Sequence, residues 1–385
     1  MNTSRNIKLI YLINFLLDFR FYAPIMIIYL SQITGSFALA MSVFSAVTIS
    51  SALFEVPTGV FSDFLGRRGT LIIGAAFGTL AGLSYALGFA YWVLLLGGVF
   101  EGISRSFFSG NNDALLYDSI DPDKRETEYP HLLGKTSSMF QLALAISATI
   151  GGLIAQNSLN LVVWLSVIPQ FICFLVSFWI IEPKVHYQKS TNIYSHLTEA
   201  IWLFIKNPKL RWLTLADMID HGIGEAAWLF KSAFIQLWWP FWAIGIAQTL
   251  ANGGAFISFY FSGKLIKRFG EFRLLIIGNI YSKISNFTAL LFPSILSPAI
   301  MSTSSLFYGV VQTSKNTLLQ KEFTDHQRAS MSSLNSLAIN IFLGVFAVIL
   351  GAFADKFGPT NALIFAFILA LPALLIYIKL FRENK

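Results

Sequence analysis

Charged residues are scarce in this sequence. Asp, Glu, Lys and Arg make up 12% of its 385 residues, whereas hydrophobic residues make up 55% and the mean hydropathy is +0.64. Soluble globular domains carry about 25% charged residues, so this composition excludes an ordinary soluble protein and predicts a multi-pass membrane protein. Cysteine is scarcer still: the single Cys173 excludes a disulfide framework and a cysteine-bound metal cluster.

Motifs of enzymes and of ATP-driven pumps are also missing. No phosphate-binding loop of the form G-x-x-x-x-G-K-[ST] occurs and no catalytic constellation appears, so the sequence predicts neither an enzyme nor a pump powered by ATP. No cofactor and no metal ion are predicted. The first apolar run is not followed by a small-residue cleavage site, so we expect a membrane span there and not a removed signal peptide.

Long apolar runs dominate the chain instead. The hydrocarbon core is roughly 30 Å thick and a helix rises about 1.5 Å per residue, so a span needs about 20 residues. The runs are too long for barrel strands and therefore predict helices. We predict twelve spans, over 8–31, 37–62, 69–90, 92–118, 133–155, 160–181, 210–236, 241–265, 272–295, 298–321, 330–352 and 360–381.

Basic residues predict the orientation of these spans. With both termini inside, five of the 27 Lys and Arg residues lie more than two residues inside a predicted span and one, Lys356, lies in an outer loop, which leaves 21 in cytoplasmic segments or at cytoplasmic span ends. Such a bias is the positive-inside pattern of membrane proteins. It also explains the net charge of +7 without a nucleic-acid partner.

The longest gap between predicted spans divides the chain into halves. We predict an N-terminal six-helix bundle over 1–181, a cytoplasmic linker over 182–209 and a C-terminal six-helix bundle over 210–385. The linker contains an amphipathic stretch, beginning at Ile193, that we expect to lie on the membrane surface.

A charged stretch between predicted helices 2 and 3 has a copy in the second half. It reads GVFSDFLGRRGTL over 59–71, and GKLIKRFGEFRLL occupies 263–275, between helices 8 and 9. A shift of 204 residues superposes Gly59 on Gly263 and Gly66 on Gly270. The repeat predicts a duplicated six-helix unit with two parallel copies.

The first copy resembles the loop signature of the major facilitator superfamily, G-x-L-A-D-R-x-G-R-[RK]-x-x-L. Six anchored positions match: Gly59, Asp63, Gly66, Arg67, Arg68 and Leu71. The resemblance extends over the whole chain and implies the fold of that family, an all-α polytopic membrane protein with twelve transmembrane helices in two six-helix bundles and cytoplasmic termini. The chain departs from the family in helix 5, where only Gly151 and Gly152 remain of the antiporter signature G-P-x-x-G-G.

The resemblance implies that the 59–71 loop is a cytoplasmic gate. Asp63 could face the N-terminus of helix 11, which carries a partial positive charge and free N–H groups. Arg67 and Arg68 can pair with acids at the inner end of helix 4, namely Asp113 or Asp118. The alternative is that these charges only set the membrane topology. The gate candidates are Gly59, Asp63, Gly66, Arg67, Arg68, Asp113 and Asp118.

Ionisable residues inside the predicted spans indicate a second site. Each costs about 2.5–3.5 kcal/mol on insertion scales and is expected to face the bundle interior. In helix 7, Asp217, His221 and Glu225 follow an i, i+4, i+8 spacing that places them on one stripe, and we expect Asp220 on the same face. Helices 1, 4, 7 and 10 line the central cavity in the resembled family. The candidates for the solute and proton cavity are Asp18, Tyr22, Arg105, Asp220, His221, Glu225, Gln312 and Lys315.

Angles and depth refine these candidates. Arg20 lies about 200° around the helix from Asp18, so we expect Asp18 in the cavity and Arg20 paired with another helix. Glu225 is the expected proton carrier, because a carboxyl group in low-dielectric surroundings binds protons closer to neutral pH than one in water. Each charge has the alternative of a structural ion pair, which we favour for Glu101 and for Lys231 and Lys283.

Three functions are open on this sequence. The first is a secondary active transporter that exports a small organic solute, coupled to protons. The second is proton-coupled uptake of an anionic solute, gripped by Arg105 and Lys315. The third is a non-transporting scaffold or receptor. It predicts that the cavity charges and the gate residues are lost, but the sequence keeps both sets. For either transporter we expect a functional monomer in the cell (inner) membrane, in contact with lipid, a small-molecule solute and protons.

Overall fold

The computed structural model describes residues 2–109, 111–183, 206–322 and 328–383, and in that part of the chain the regular elements are helices, with no strand. Long apolar runs explain this outcome, because a helix satisfies its backbone hydrogen bonds within one segment and needs no water to do so.

The α-helices are α1 (Asn2–Asp18), α2 (Met26–Thr34), α3 (Phe37–Leu87), α4 (Tyr91–Phe108), α5 (Asn111–Asp118), α6 (Arg125–Ala155), α7 (Leu159–Ser177), α8 (Pro208–Asp217), α9 (Ile223–Ile235), α10 (Phe241–Phe269), α11 (Glu271–Leu291), α12 (Ser297–Thr303), α13 (Tyr308–Glu322), α14 (Arg328–Leu369) and α15 (Leu371–Glu383). Short 3₁₀ segments occupy Ala23–Ile25, Pro122–Lys124 and Ser304–Phe307, and a π-helical segment, Met218–Gly222, joins α8 to α9.

Seven stretches of described helix are long and apolar enough to cross a membrane: Arg5–Thr34, Phe37–Glu55, Leu65–Leu87, His131–Ala155, Leu159–Ser177, Glu271–Leu291 and Leu334–Glu383. The last of these has 50 residues, more than twice the length that one span needs. A multi-pass membrane protein follows from these helices. The count of twelve spans and the cytoplasmic position of the termini stay predictions.

The chain divides into two units by its internal contacts. The first contains Met1–Gly35, Ser42–Lys189 and Phe241–Ile246, and the second contains Ser36–Met41, Ser190–Pro240 and Ala247–Lys385. Each has its own apolar core, with Ile10, Leu71 and Cys173 buried in the first, and Leu275 and Tyr377 buried in the second. The predicted amphipathic stretch of the linker falls almost entirely outside the described residues.

Three glycines turn the chain between long helical segments in the same way. Gly66 lies inside α3 with φ 74° and ψ 170°, Gly270 separates α10 from α11 with φ 81° and ψ 153°, and Gly358 lies inside α14 with φ 83° and ψ 164°. Such a backbone is essentially restricted to glycine. Gly66 and Gly270 are the positions that the 204-residue repeat superposes, so the two copies of the loop share a backbone as well as a spacing.

Candidate functional site

The predicted first helix, 8–31, is interrupted in its middle. Helix α1 ends at Asp18, a 3₁₀ segment covers Ala23–Ile25, and α2 begins at Met26. Pro24 explains the break, because proline lacks an N–H and its ring clashes with the carbonyl four residues earlier, that of Arg20. That carbonyl accepts instead from the N–H of Ala23 at 3.2 Å.

Carbonyls freed by this break find side-chain donors. The Gln170 amide of α7 donates to the carbonyls of Leu16 and Leu17, both at 3.1 Å, and Arg20 Nε donates to Leu17 at 2.9 Å. Irregular backbone at membrane depth is tolerated where protein groups satisfy it in this way. The sequence does not indicate the Gln170 contact, because a lone polar residue in an apolar run has no spacing that identifies its partner.

Arg20 anchors the broken segment to α4. Its guanidinium forms an ion pair with Glu101, and both side chains are at least nine-tenths buried. Glu101 also accepts from Arg105 at 2.8 Å and from the Tyr85 hydroxyl at 2.8 Å. Arg20 therefore pairs with another helix, as its angle on the helix predicts, and Glu101 is the shared acceptor of two arginines and a tyrosine.

Asp18 differs from these paired charges. It is the last residue of α1 and is partly exposed, and among the described residues no hydrogen-bond donor and no cation lies within bonding distance of its carboxylate. Tyr22, on the other side of the break, is 5% exposed and packs edge-on against the Tyr85 ring at 5.8 Å. The break thus presents one carboxylate that has no described partner beside a buried aromatic cluster.

The predicted seventh helix, 210–236, is continuous in direction but changes its hydrogen bonding at the charged residues. The π-helical segment Met218–Gly222 contains Asp220 and His221. Single π turns inside α-helices occur frequently at functional sites. Gly222 allows close packing here, because a side chain at this position would lie 2.6 Å from the Phe342 ring of α14.

Three polar side chains of this region contact α13 in register. Asp217 pairs with Lys315 at 2.6 Å, His221 Nδ1 lies 3.2 Å from the Gln312 amide, and Glu225 accepts from the Tyr308 hydroxyl at 3.3 Å. The three residues are those that the i, i+4, i+8 spacing places on one stripe, and their partners are spaced by three and four residues on an antiparallel helix.

Asp220 does not share this stripe, which corrects the expectation that it would. Its carboxylate pairs with Lys283 of α11 at 3.1 Å, and Lys283 also donates to Asn279 at 3.0 Å. The π turn accounts for the difference, since an extra residue in one turn rotates the side chains around the helix axis.

Lys315 is also less accessible to a solute than its place among the cavity candidates predicts. It is 4% exposed, its partner Asp217 is 2% exposed, and Asn335 of α14 donates to the second oxygen of that carboxylate at 3.2 Å. The Lys315 ammonium is thus held against Asp217 in the protein interior, where a solute reaches it only if the pair opens.

The two interruptions lie next to each other in the repeat. A shift of 204 residues carries Asp18 onto Gly222, so the break after α1 and the π segment before α9 lie within one helical turn of matching positions. Interrupted helices at corresponding positions of two repeats are a structural pointer to solute and ion sites in transporters.

The predicted fourth helix, 92–118, is likewise two helices. Helix α4 ends at Phe108, Ser109 has a non-helical ψ of 131°, and α5 begins at Asn111. Glu101 and Arg105 therefore do not share a continuous helix face with Asn112 and Asp113, because the turn between α4 and α5 resets the direction of the side chains.

The loop around Gly66 is held by acids of the first unit. The Glu182 carboxylate accepts from the backbone N–H groups of Arg67 and Arg68 at 2.7 and 2.8 Å, and Arg67 Nε pairs with Asp118 at 3.1 Å. A Cβ at position 66 would lie 2.6 Å from the Glu182 carboxylate, so this position requires glycine for space as well as for its φ.

The remaining gate candidates do not all have the predicted partners. Arg68 donates from its guanidinium to the Phe178 carbonyl at 2.9 Å, and no described contact joins Asp113, which is exposed, to Arg67 or Arg68. Asp118 alone of the two acids is the partner of an arginine, because Asp113 lies more than a turn earlier on α5. The side chain of Asp63 and the surroundings of Gly59 lie outside the described residues.

The second copy of this loop carries a corresponding ion pair with the charges exchanged. Glu271 stands 204 residues after Arg67, and it pairs at 2.7 Å with Lys321, which stands 203 residues after Asp118. The sequence alone hides this match, since the residue types differ in sign. It indicates that the duplicated loops brace the same two helix ends by the same contact.

Gly66→Ala is expected to destabilise the protein more than the same change in the second loop. At Gly66 alanine meets both backbone strain, worth about 1–3 kcal/mol, and the Glu182 carboxylate, whereas at Gly270 it meets strain with no described atom within 4 Å. Gly134→Ala, in an exposed helical position with free space, should be neutral or stabilising by about 1 kcal/mol. Melting temperatures of the three purified variants measure this order, and equal values for Gly66→Ala and Gly134→Ala would contradict it.

Comparisons with known proteins agree on one family. The sequence profile of the Major Facilitator Superfamily matches residues 9–343. An uncharacterised MFS-type transporter of Methanocaldococcus jannaschii is 22% identical over 379 residues, which cover 93% of each chain.

Solved structures share the fold at low identity. A variant of the nucleoside transporter NupG has a TM-score of 0.84 at 13% identity, with 99% of this chain and 100% of that one covered. A bacterial homologue of the human lysosomal transporter Spinster, in an inward-facing and unoccupied conformation, has a TM-score of 0.78 at 14% identity, with coverages of 99% and 97%. With the interrupted helices and the duplicated loop, the family match leads to one conclusion: the chain belongs to the Major Facilitator Superfamily and is a secondary transporter, not an enzyme.

Proposed function

We propose that this transporter exports a small organic solute by alternating access, coupled to protons. The observation that carries the proposal is the pair of interruptions at neighbouring positions of the repeat, each close to an acid without an ion-pair partner among the described residues. Asp18 ends α1, and Glu225 follows the π segment by three residues with Tyr308 as its described partner. Discontinuous helices of this kind hold the solute and the coupling ion in repeat-built transporters.

The charges around these acids favour a cationic or amphiphilic solute. Arg20, Lys283 and Lys315 are each bonded to an acid. Lys231 forms no ion pair within 4 Å among the described residues; it donates to Ser304, lies 5.4 Å from the Trp228 ring and interacts at longer range with Glu225. Carboxylates are therefore the groups with spare bonding capacity at the interruptions themselves.

Uptake of an anionic solute is less well supported. That function needs Arg105 and Lys315 to grip the anion, yet Lys315 is buried against Asp217. Arg105 keeps about half of its side chain exposed while it bonds to Glu101, so one of the two required cations is accessible.

The test is an accumulation screen followed by transport in liposomes. Cells that express the chain and cells that lack it are compared over a panel of cationic, amphiphilic, neutral and anionic solutes. Each hit is then measured in proteoliposomes after a pH jump. Lower accumulation of cationic or amphiphilic solutes in expressing cells supports the proposal, and an anion that accumulates in expressing cells instead contradicts it.

Asp63→Asn is expected to leave a folded protein with strongly reduced turnover. The proposal assigns Asp63 to a cytoplasmic latch in which its charge faces a helix N-terminus, and asparagine keeps the shape but loses that charge. Asp121→Asn is the matched control, because Asp121 is an exposed acid on the same predicted side of the membrane. Turnover of a hit solute, normalised to the amount of folded protein, is the measurement. Wild-type turnover in Asp63→Asn would exclude a latch role for Asp63.

A further inference from the structure

A stretch inside α14 has the same residue spacing as the two charged loops at Gly66 and Gly270. It reads GAFADKFGPTNAL over 351–363, with glycine at the first and eighth positions, an acid at the fifth and leucine at the thirteenth. In the first loop these positions are Gly59, Asp63, Gly66 and Leu71. This third copy is hard to recognise in the sequence, because Pro359 and Thr360 replace the arginine pair and the predicted loop lies on the opposite side of the membrane.

The backbone supports the match. Gly358 has φ 83° and ψ 164°, close to the values of Gly66 and Gly270, and it breaks α14 as Gly66 breaks α3. Three loops of one spacing therefore share one backbone conformation. Two of them, those at Gly66 and Gly358, carry an aspartate three residues before the glycine.

The aspartate of the third loop is fully described, and it caps a helix. The Asp355 carboxylate accepts from the N–H groups of Phe37 and Ala38 at 2.6 and 3.0 Å and from the Ser36 hydroxyl at 2.5 Å. These are the first groups of α3, where the helix has unsatisfied N–H groups and a partial positive charge. A single carboxylate thus satisfies three donors at one helix end.

Close packing accompanies the cap. Gly351, one turn before Asp355, lies against the same helix end, and a Cβ at this position would lie 2.5 Å from the Phe37 carbonyl oxygen and 2.7 Å from Ala38 Cα. The two framing features of the signature, its glycine and its acid, both contact the first turn of α3. Asp355 itself is exposed and lies three residues before Gly358, where α14 breaks.

The capped helix α3 is divided between the two units of the chain. Ser36–Met41 belongs to the second unit together with Asp355, whereas α3 continues from Ser42 within the first unit. The Asp355 carboxylate therefore holds the first turn of α3, which is assigned to the second unit, while the rest of α3 is assigned to the first unit.

We propose that Asp355 is an outer latch, the counterpart of the inner latch assigned to Asp63, and that it must release the first turn of α3 in each transport cycle. The proposal rests on alternating access. Each latch uses the same sequence unit, a glycine for approach and an aspartate for a helix N-terminus, on opposite predicted sides of the membrane. Alternation then follows because strengthening one latch disfavours the state in which the other is formed.

A labelling experiment tests the outer latch without knowledge of the solute. Cys173→Ser removes the one native cysteine, and Ala40→Cys places a reporter at a position that is 0% exposed beside the capped turn. The probe is a membrane-impermeant maleimide added from the outside. Loss of a charged helix cap costs an amount equivalent to a factor of about 5–30 in an equilibrium, so Asp355→Asn should raise the labelling rate about 5- to 30-fold.

Matched variants separate the latch from general loosening. Lys356→Gln changes the neighbouring charge, whose ammonium lies over the Phe357 ring, and should label at the parent rate. Ser36→Ala removes one of the three donors and should raise the rate less than Asp355→Asn. Parent-rate labelling of well-folded Asp355→Asn overturns the proposal. If that variant does not fold, parent-rate labelling of Ser36→Ala overturns it.

The reciprocal relation has its own test. Asp63→Asn added to Asp355→Asn weakens both latches, so the labelling rate should fall back toward the parent rate. A double variant that labels as fast as Asp355→Asn alone overturns the alternation of the two latches. Because the readout needs no solute, an empty solute screen would count against the proposed function and leave the labelling results interpretable.

Discussion

Glu225→Gln is expected to abolish accumulation of the solute against its gradient while downhill exchange continues. The Glu225 carboxylate accepts from the Tyr308 hydroxyl and has no ion-pair partner among the described residues, so it can bind and release a proton without breaking a salt bridge. Glutamine has the same size and still accepts from a hydroxyl, but it cannot carry a proton. The variant should therefore equilibrate the solute without concentrating it.

The measurement compares two assays on the same liposomes. Uptake after a pH jump reports coupling, and exchange of labelled for unlabelled solute without a gradient reports binding and movement. Glu271→Gln is the control, because Glu271 pairs with an exposed lysine in the second loop. Concentrative uptake by Glu225→Gln would assign the proton elsewhere, and Asp18→Asn is then the next variant to test.

His221→Ala is expected to change the pH dependence of uptake more than its maximal rate. His221 lies between the Asp217 and Glu225 contacts on the face that meets α13, and its ring bonds to Gln312 at 3.2 Å. Histidine is the side chain that titrates closest to neutral pH, so its loss removes one titrating group beside Glu225, the proposed proton carrier. A pH profile of uptake that overlays the wild-type profile would exclude this role.

Breaking the Asp217–Lys315 pair is expected to produce the largest loss of stability. Both side chains are almost fully buried, and the ammonium lies 2.6 Å from the carboxylate. Removal of one partner strands a buried charge, which costs about 3–5 kcal/mol. Lys315→Met and Asp217→Asn should therefore each lower the melting temperature and the yield of folded protein, whereas the double variant should recover most of both.

An exposed pair provides the comparison. Lys321→Gln removes the partner of Glu271, and the Lys321 side chain is 57% exposed, so we expect a change of about 0–1 kcal/mol. If Lys315→Met is as stable as Lys321→Gln, the ammonium of Lys315 is not held by Asp217 in the folded protein. Lys315 would then return as a candidate for binding an anionic solute.

Spacing in the sequence predicted the contacts that depend on helix periodicity. The stripe of Asp217, His221 and Glu225 follows from i, i+4, i+8 positions, and each member contacts α13. The pairing of Arg20 with another helix follows from its angle relative to Asp18 in the same way. Periodicity survives in these cases because the relevant side chains lie on one continuous face.

Interruptions limited the rest of the prediction. The π turn moved Asp220 to Lys283, and the predicted fourth span, 92–118, is divided where α4 ends at Phe108. No residue pattern announces a π turn, since it depends on tertiary packing such as that of Gly222 against Phe342. Pro24 does indicate the break in the first helix, but a span predicted only from the length of the apolar run takes no account of this proline.

Contacts to backbone groups were equally hidden. Glu182 and Asp355 bond to N–H groups at the starts of helical segments. A backbone N–H has no side-chain identity, so no complementary residue in the sequence marks such a partner. The repeated glycine–aspartate spacing was the available signal for Asp355.

The coupling of solute to protons is tested most directly by proton movement in liposomes that contain a pH-sensitive dye. A solute from the screen is added outside at equal pH on both sides, so its gradient is the sole driving force. A proton-coupled exporter exchanges solute for protons, so inward solute movement must drive protons out and the interior must become alkaline. Acidification of the interior would indicate symport, and an unchanged pH during solute entry would contradict proton coupling.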